Sequence, residues 1–291
     1  MTDLILQTLV SGLLVGGCYA LMATGLNLVW GVMEIINFAH GAFLILGMYI
    51  TYWGYVLLGI DPYLSLPIAM VLLFALGWAL QGVVLNPIMG EERWASATLL
   101  ITFGVSIFLL NLALLVWGPT PRALSYSLSD AHIQLGSIII RVPQLVGFGI
   151  SVLFLLFLEY FLKRTKLGRA IRATAQNSEG ARLMGINVPM IYKLTFGIGA
   201  AGSAAAGTIL MTFLQVNPHI GLGLILMAFA ICVIGTMGNY VGAFIGGLII
   251  GVVEAFSAVL VLPSIKMMGV YIVFLIVLLM KPEGIFGGKK W

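Results

Sequence analysis

KRTKLGRAIRATAQNSEGARLMGINVPMIYK, residues Lys163 to Lys193, is a polar interruption between segments that are apolar enough to lie in a bilayer. We call residues 163–193 the connector. Seven of the fourteen lysines and arginines of the chain fall in it: Lys163, Arg164, Lys166, Arg169, Arg172, Arg182 and Lys193. Basic residues beside membrane-spanning helices stay preferentially on the cytoplasmic side. The connector is therefore predicted to be cytoplasmic, and it sets the orientation of the spans on either side.

The connector also carries helix signals. Leu167, Ile171 and Ala175 recur at four-residue spacing, which is typical of one helix face. Asn177 is a favoured N-cap residue, and Gly185 follows where a second short helix would end. The pattern predicts two short helices that meet near Asn177. Such a segment is either a solvated basic connection or a docking element for a soluble partner, and its compact, capped helices favour docking.

Composition places the whole chain in a membrane. Of 291 residues, 61% are hydrophobic and 8% are charged, against about 25% charged in typical soluble domains. The net charge of +4 is explained by basic loops and predicts no nucleic-acid partner. Cys18 and Cys232 lie inside apolar runs without metal or redox spacing, so we interpret them as small buried side chains.

A bilayer core needs about 20 apolar residues for each helix. By that measure the chain divides into nine candidate spans, the seventh and ninth of them short: Leu4 to Trp30, Asn37 to Leu58, Leu64 to Leu85, Trp94 to Trp117, Val142 to Leu162, Ile191 to Phe213, Leu222 to Ile234, Tyr240 to Leu262 and Ile265 to Met280. The predicted fold is an all-α, polytopic helical membrane protein with eight or nine crossings. It forms one domain, residues 1–291.

Two orientations of the N-terminus stay open. Counting back from a cytoplasmic connector places the N-terminus outside, and counting forward places Lys281, Lys289 and Lys290 inside, as basic residues prefer. The first 92 residues contain no Lys or Arg, so a second span that dips in and returns would move the N-terminus to the cytoplasm. The short loop of Glu91, Glu92 and Arg93 is placed inside by the first count.

The loop from Gly118 to Arg141 is predicted to be extracytoplasmic. Its HIQLGSIIIRV sequence, residues 132–142, predicts a small β-hairpin around Gly136. The loop is either a contact surface for an extracytoplasmic partner or an irregular cap over the helix ends.

Two glycine-rich stretches predict close helix packing, because small residues let backbones approach where lipid gives no hydrophobic drive for association. They are Gly197 to Gly207 and Gly242 to Gly251, and in the second we assign packing roles to Gly242, Gly246 and Gly251. Residues 36–47 and 238–251 also resemble each other, since each places Asn shortly before Gly-Ala-Phe. Coincidence in a glycine-rich chain is the favoured explanation; the other is a structural repeat with broken helices beside the substrate path.

No catalytic set is recognisable. The three histidines lack metal-ligand spacing, no P-loop is present, and no cofactor is predicted. Polar residues at membrane depth are costly unless they are paired or face a cavity. Asn27, Asn37, His40 and Asn239 are our candidates for the translocation path, with hydrogen bonds between helices as the alternative role. Asn111 is a further polar residue at membrane depth, and Gln81 and Glu254 are others whose depth is less certain.

Four stretches carry a resemblance: INFAHGAF (36–43), GRAIRATAQNSEGARLMGIN (168–187), VIGTMGNYVGAFIGGLIIGVVEA (233–255) and KPEGIFG (281–287). In that order along nearly the whole chain, they resemble the permease subunits of bacterial branched-chain amino acid ABC importers, and most closely the subunit with a short N-terminus. The connector positions that match the family's ATPase-coupling motif are Gly168, Arg169, Arg172, Glu179, Arg182 and Gly185.

The resemblance implies a complex in the bacterial inner membrane. Its expected partners are a second, homologous permease, two ATP-binding subunits and an extracytoplasmic substrate-binding protein. Branched-chain or related amino acids are the implied substrates, and urea or short amides are the alternative within the same family. A self-sufficient secondary transporter is the alternative from another class, but such proteins usually use buried ionisable groups, which are few here.

Overall fold

The computed structural model describes residues 2–89, 94–260 and 265–287. Seven of the described helices are long and apolar enough to cross a bilayer. They are α1 (Thr2–Met33), α2 (Ala39–Leu58), α3 (Ser65–Leu80), α4 (Trp94–Trp117), α5 (Val142–Arg164), α8 (Val188–Met211) and α10 (Tyr240–Leu260). Helix α3 continues through a π-helical turn, Gln81–Leu85, and a 3-10 turn, Asn86–Ile88.

The remaining elements are shorter. Helices α9 (Ile220–Ile234) and α11 (Lys266–Met280) are apolar but have 15 residues each. The connector forms α6 (Lys166–Gln176) and α7 (Ser178–Leu183). Strands β1 (His132–Leu135) and β2 (Ile138–Arg141) pair antiparallel, with Gly136 at φ +62° in their turn. The predicted hairpin, the two connector helices and the polytopic helical fold are confirmed.

Contacts between elements place the two ends of the bundle. The side chain of Gln7, near the start of α1, bonds both backbone groups of Ile139 in the hairpin, at 2.7 and 2.9 Å. Glu34, just after α1, lines a cavity with Gln176 of the connector. Helix α1 therefore runs from a hairpin end to a connector end, and the start of α1 lies opposite the connector.

The second span also runs to the hairpin end without returning. Near its end, Tyr52 and Trp53 lie under the guanidinium of Arg122, which belongs to the hairpin-end loop. Near its start, His40 Nε2 lies 2.9 Å from the carbonyl of Met22. Met22 is eleven residues before the end of α1, so α2 begins about 16 Å inside the connector end. Of the two orientations left open, these contacts fit the one with the N-terminus opposite the connector.

The last described residues return to the connector end. Ile285 N donates to Ile234 O at 2.9 Å, and Phe286 N donates to the hydroxyl of Thr236 at 3.1 Å. Six residues named above lie outside the described part of the chain, namely Glu91, Glu92 and Arg93 of the short loop, Leu262 at the end of the eighth predicted span, and the basic residues Lys289 and Lys290.

Helix α8 lies at the centre of the core and is buried along almost its whole length. Its small residues let α1, α2 and α3 approach; a Cβ at Gly197, for instance, would lie 2.9 Å from the ring of Phe74 in α3. Helix α4 instead buries only four residues and exposes side chains such as Leu100 and Leu115, as expected for a helix that faces lipid.

Candidate functional site

Helix α6 folds back against the end of α5. Thr165 caps α6, because its hydroxyl accepts a hydrogen bond from Gly168 N at 2.9 Å. Gly168 is buried there, and a Cβ at this position would lie 2.6 Å from Leu162 O. Only glycine therefore allows this contact without a shift of backbone, which explains why the motif has Gly at this position.

Helix α7 is held by caps at both ends. Asn177 Oδ1 accepts from Gly180 N at 2.8 Å, which confirms the predicted N-cap. Gly185, at φ +82°, ends the helix in the left-handed region. Asn187 then caps α8 by accepting from Met190 N at 3.1 Å. These caps make α6 and α7 a defined, compact unit.

The end of α7 presents apolar side chains beside charged ones. Leu183 is 89% exposed and Met184 is 84% exposed, while Glu179 and Arg182 are exposed next to them. We call these four residues the connector tip. Arg169 is also exposed, on α6.

Arg172 differs from the other arginines of the motif, because it is half-buried and faces the bundle. Its charge acts on Glu159 of α5 and Tyr240 of α10. Glu159 in turn forms an ion pair with Lys163 and accepts a hydrogen bond from Tyr240. Arg172 thus places a positive charge of the connector near the hydrogen bond that links α5 to the start of α10.

A sharp turn, residues 34–38, joins α1 to α2. Glu34 has φ +52°, a left-handed conformation that is uncommon for a residue other than Gly. The hydroxyl of Thr102 in α4 lies 3.2 Å from both Ile36 O and Phe38 N and bonds both. Asn37 Oδ1 accepts from Ala39 N at 3.0 Å, at the start of α2.

The turn between α9 and α10, residues 235–239, also contains a residue other than Gly with a positive φ. Thr236 has φ +74°. Asn27 of α1 binds this turn three times, through Nδ2 to Thr236 O (3.0 Å) and Asn239 O (2.8 Å) and through Oδ1 to Gly238 N (2.6 Å). Asn239 Oδ1 accepts from Gly242 N at 2.9 Å. The two turns are therefore alike in backbone, because Glu34 and Thr236, both with positive φ, each lie three residues before an Asn whose side chain accepts a backbone hydrogen bond.

All four candidate path residues thus lie in or beside these two turns. Asn27, Asn37 and His40 are at most 1% exposed, Asn239 is half-buried, and every one of them bonds backbone. Their observed contacts support the broken helices; a role in translocation stays a prediction.

Two cavities lie where the turns meet the connector. The first, of about 240 Å³, is bounded by Glu34 of one turn, Gly238 of the other and Gln176 of α6. The second, of about 530 Å³, shares Glu34 and Gln176 and extends to Arg182 and Tyr192. Within residues 2–89, 94–260 and 265–287, no group of three His, Cys, Asp or Glu side chains could hold a metal ion.

Residues 8–278 match the family described as branched-chain amino acid transport system, permease component. The chain belongs to this permease family. It is 35% identical to the high-affinity branched-chain amino acid transport system permease protein BraD of Pseudomonas aeruginosa, over 97% of this chain and 95% of that protein. Identity and coverage are the same for the corresponding protein LivH of Escherichia coli K12. The relatives are permease components of transport systems, and this chain is likewise a multi-pass permease component and not an enzyme.

One solved structure shares the fold of the permease. A chain of PsaBC from Streptococcus pneumoniae, in complex with Fab, aligns with a TM-score of 0.50 and 14% identity, covering 95% of this chain and 92% of that chain. At this identity the likeness supports the fold alone.

The glycines of α10 serve two different neighbours in the permease. A Cβ at Gly246 would lie 2.8 Å from Ile231 O in α9, and Gly242 lies against Gly235 at the end of the same helix. A Cβ at Gly251 would instead lie 2.5 Å from Gly16 N in α1. Two faces of one helix therefore depend on small residues, a division that the sequence did not reveal.

The sequence did not indicate that Thr102 holds the first turn, because Thr is an ordinary residue in an apolar helix such as α4. It also left undecided the depth of Glu254, which is 5% exposed. Lys266 Nζ lies 2.5 Å from Glu254 Oε1, and the hydroxyl of Tyr19 donates to the same oxygen at 3.5 Å. The buried carboxylate in an apolar helix was the available signal for this cluster.

Proposed function

We propose that this permease forms, with a second permease subunit, the translocation path of an ATP-driven importer of branched-chain or related amino acids in the bacterial inner membrane. Two ATP-binding subunits on the cytoplasmic side supply the energy, and an extracytoplasmic binding protein delivers the substrate. Membership of the family and the 35% identity to two branched-chain amino acid permeases support this function.

The proposed orientation has the connector in the cytoplasm. Seven of fourteen basic residues lie in the connector, and Lys281 lies at the same end of the bundle, where basic residues are retained. The loop from Gly118 to Arg141 and the start of α1 then lie outside, where a binding protein would dock.

The observation that carries the coupling role is the exposure of Leu183 and Met184. Large apolar side chains exposed at 89% and 84% on a rigid, capped helix are typical of a protein interface. Arg182 and Glu179 beside them supply charges that set the register with a partner. The connector tip is thus proposed to dock into a groove of an ATP-binding subunit, with Arg169 and Gly185 at its edge.

Movement of the docked connector would reach the path through two interactions. Gly168 holds α6 against α5, and the charge of Arg172 on α6 acts on Glu159 and on Tyr240 at the start of α10. The cavity between the two turns is proposed to be the cytoplasmic mouth of the path. The shape of this mouth depends on the four candidate residues that hydrogen-bond backbone in or beside the two turns, namely Asn27, Asn37, His40 and Asn239.

The test replaces the apolar part of the tip. Burying a Leu or Met side chain contributes about 1.5 to 3 kcal/mol, so a Leu183→Ser, Met184→Ser double variant is expected to weaken binding of the ATP-binding subunit at least about tenfold. The matched control is Leu64→Ser, which removes a side chain of 67% exposure at the opposite end. Arg182→Glu tests the charged part.

Co-purification of the ATP-binding subunit and ATP-driven leucine uptake in reconstituted vesicles are measured for each variant. Uptake is expected to fall with the loss of the ATP-binding subunit, while yield and thermal stability of the permease stay unchanged. Full transport by the permease without any ATP-binding subunit would exclude an ATP-driven importer. Unchanged binding in both tip variants would remove the connector tip from the interface.

A further inference from the structure

A second pair of neighbouring cavities lies at the hairpin end, away from the connector. The outer cavity, of about 630 Å³, is bounded by Asp3 and Gln7 of α1 and by the β-hairpin. The inner cavity, of about 240 Å³, leads to Glu254. Ser11, Arg141 and Gln144 line both, so the two cavities adjoin each other.

Glu254 lines the inner cavity and is buried. It is six residues before the end of α10, about 9 Å inside the bundle. Within the described part of the chain, both of its side-chain contacts, Lys266 Nζ and Tyr19 OH, use Oε1. The second oxygen, Oε2, is thus available to a cation that enters the inner cavity. A carboxylate at this depth is costly and typically marks a ligand pathway.

The rest of the lining is divided by chemistry. Arg141 and Lys266 bring two positive charges to the mouth of the inner cavity, and no ion pair with another described residue engages Arg141. Apolar side chains cover part of the remaining wall, chiefly Val15, Phe213 and Ala258, and the polar side chains of Ser11 and Gln144 line the rest. One buried carboxylate, two cations and an apolar wall are complementary to a small zwitterion with an apolar side chain.

We propose that the inner cavity is a binding site for an α-amino acid with an apolar side chain, on its way through the permease. The ligand's ammonium binds Oε2 of Glu254, its carboxylate is held by Arg141 and Lys266, and its side chain packs against the apolar wall. This inference rests on the proposed import of amino acids, since it names where this subunit meets the substrate after release from the binding protein.

The test measures protection of a reporter cysteine. Ala258→Cys places a thiol in the wall of the inner cavity, and the native Cys18 and Cys232 are buried, so they contribute little background. The purified complex of permease and ATP-binding subunits, without nucleotide or binding protein, is labelled with a polar maleimide. Leucine is expected to slow labelling several-fold, whereas 3-methylbutylamine, which lacks the carboxylate, and 4-methylpentanoate, which lacks the ammonium, protect far less.

Two variants assign the effect to Glu254. Glu254→Gln in the Ala258→Cys background is expected to abolish protection by leucine. Glu159→Gln is the matched control, because Glu159 also pairs with a Lys and a Tyr but lies near the connector end; protection should persist. The ligand series in the Ala258→Cys protein alone decides the matter if Glu254→Gln does not fold.

A thiol that is not labelled, equal protection by all three compounds, or full protection in Glu254→Gln would each overturn the site. ATP-driven leucine uptake by the unsubstituted complex is measured in parallel. Uptake without protection refutes this site and leaves the importer standing, whereas protection without ATP-driven uptake supports the site and refutes the proposed energy source.

Discussion

Replacing Asn27 by Leu removes the side chain that holds the turn between α9 and α10. Three hydrogen bonds to backbone are lost from a fully buried position. The carbonyls of Thr236 and Asn239 keep another backbone donor each, Asn239 N at 3.2 Å and Ala243 N at 2.9 Å. The cost should therefore stay near the net value of about 1 kcal/mol for each bond, or about 2 to 4 kcal/mol in total.

For a chain of this size, we expect the midpoint of thermal denaturation to fall by about 4 to 8 °C. The assay follows the monodisperse fraction of the purified permease on heating, at constant detergent and partner concentration. Asn111→Leu is the control, because Asn111 is exposed on α4 and, among the described residues, its side chain bonds only Ile107 O of its own helix. Equal midpoints for the two variants would refute the structural role given to Asn27.

Three further predictions concern packing, orientation and coupling. Gly251→Leu is expected to reduce the yield of the complex sharply, because a Cβ at this position would meet α1. Val259→Leu, at a 47% exposed position of the same helix, should leave the yield unchanged. Similar yields for the two variants would argue against the close contact. Reporter fusions at Ser178 and Gly136 should give cytoplasmic and extracytoplasmic signals respectively, and signals from the same side would contradict the orientation. Gly168→Ala should displace α6 from α5 and lower substrate-stimulated ATP hydrolysis several-fold while the permease stays inserted; wild-type hydrolysis would show that this contact does not transmit coupling.

Much of the fold was predictable, because its signals lie within a few residues of each other. Span lengths follow from uninterrupted apolar composition. The connector helices follow from Asn177 and Gly185, whose capping interactions reach only three or four residues along the chain. The hairpin follows from Gly136 between two short apolar runs. The orientation that we propose likewise needs only the positions of the basic residues.

The candidate site was harder to predict, because its contacts join residues far apart in sequence. Asn27 was singled out as a polar residue at membrane depth, but its partners lie 209 to 212 residues away. Nothing local distinguishes Thr102, which holds the first turn, from other threonines of an apolar helix. Packing likewise decided that Glu34, Gln176 and Gly238 meet around one cavity.

Composition and local pattern, therefore, determined that this protein is a helical permease with a capped, basic connector. Only the tertiary structure decided which helix faces meet. The physical reason is that lipid and protein interior are both apolar, so the periodicity that marks the buried face of a soluble helix is weak here. Gly246 packs on α9 and Gly251 on α1 because of where those helices lie, and the sequence of α10 alone carries no sign of that choice.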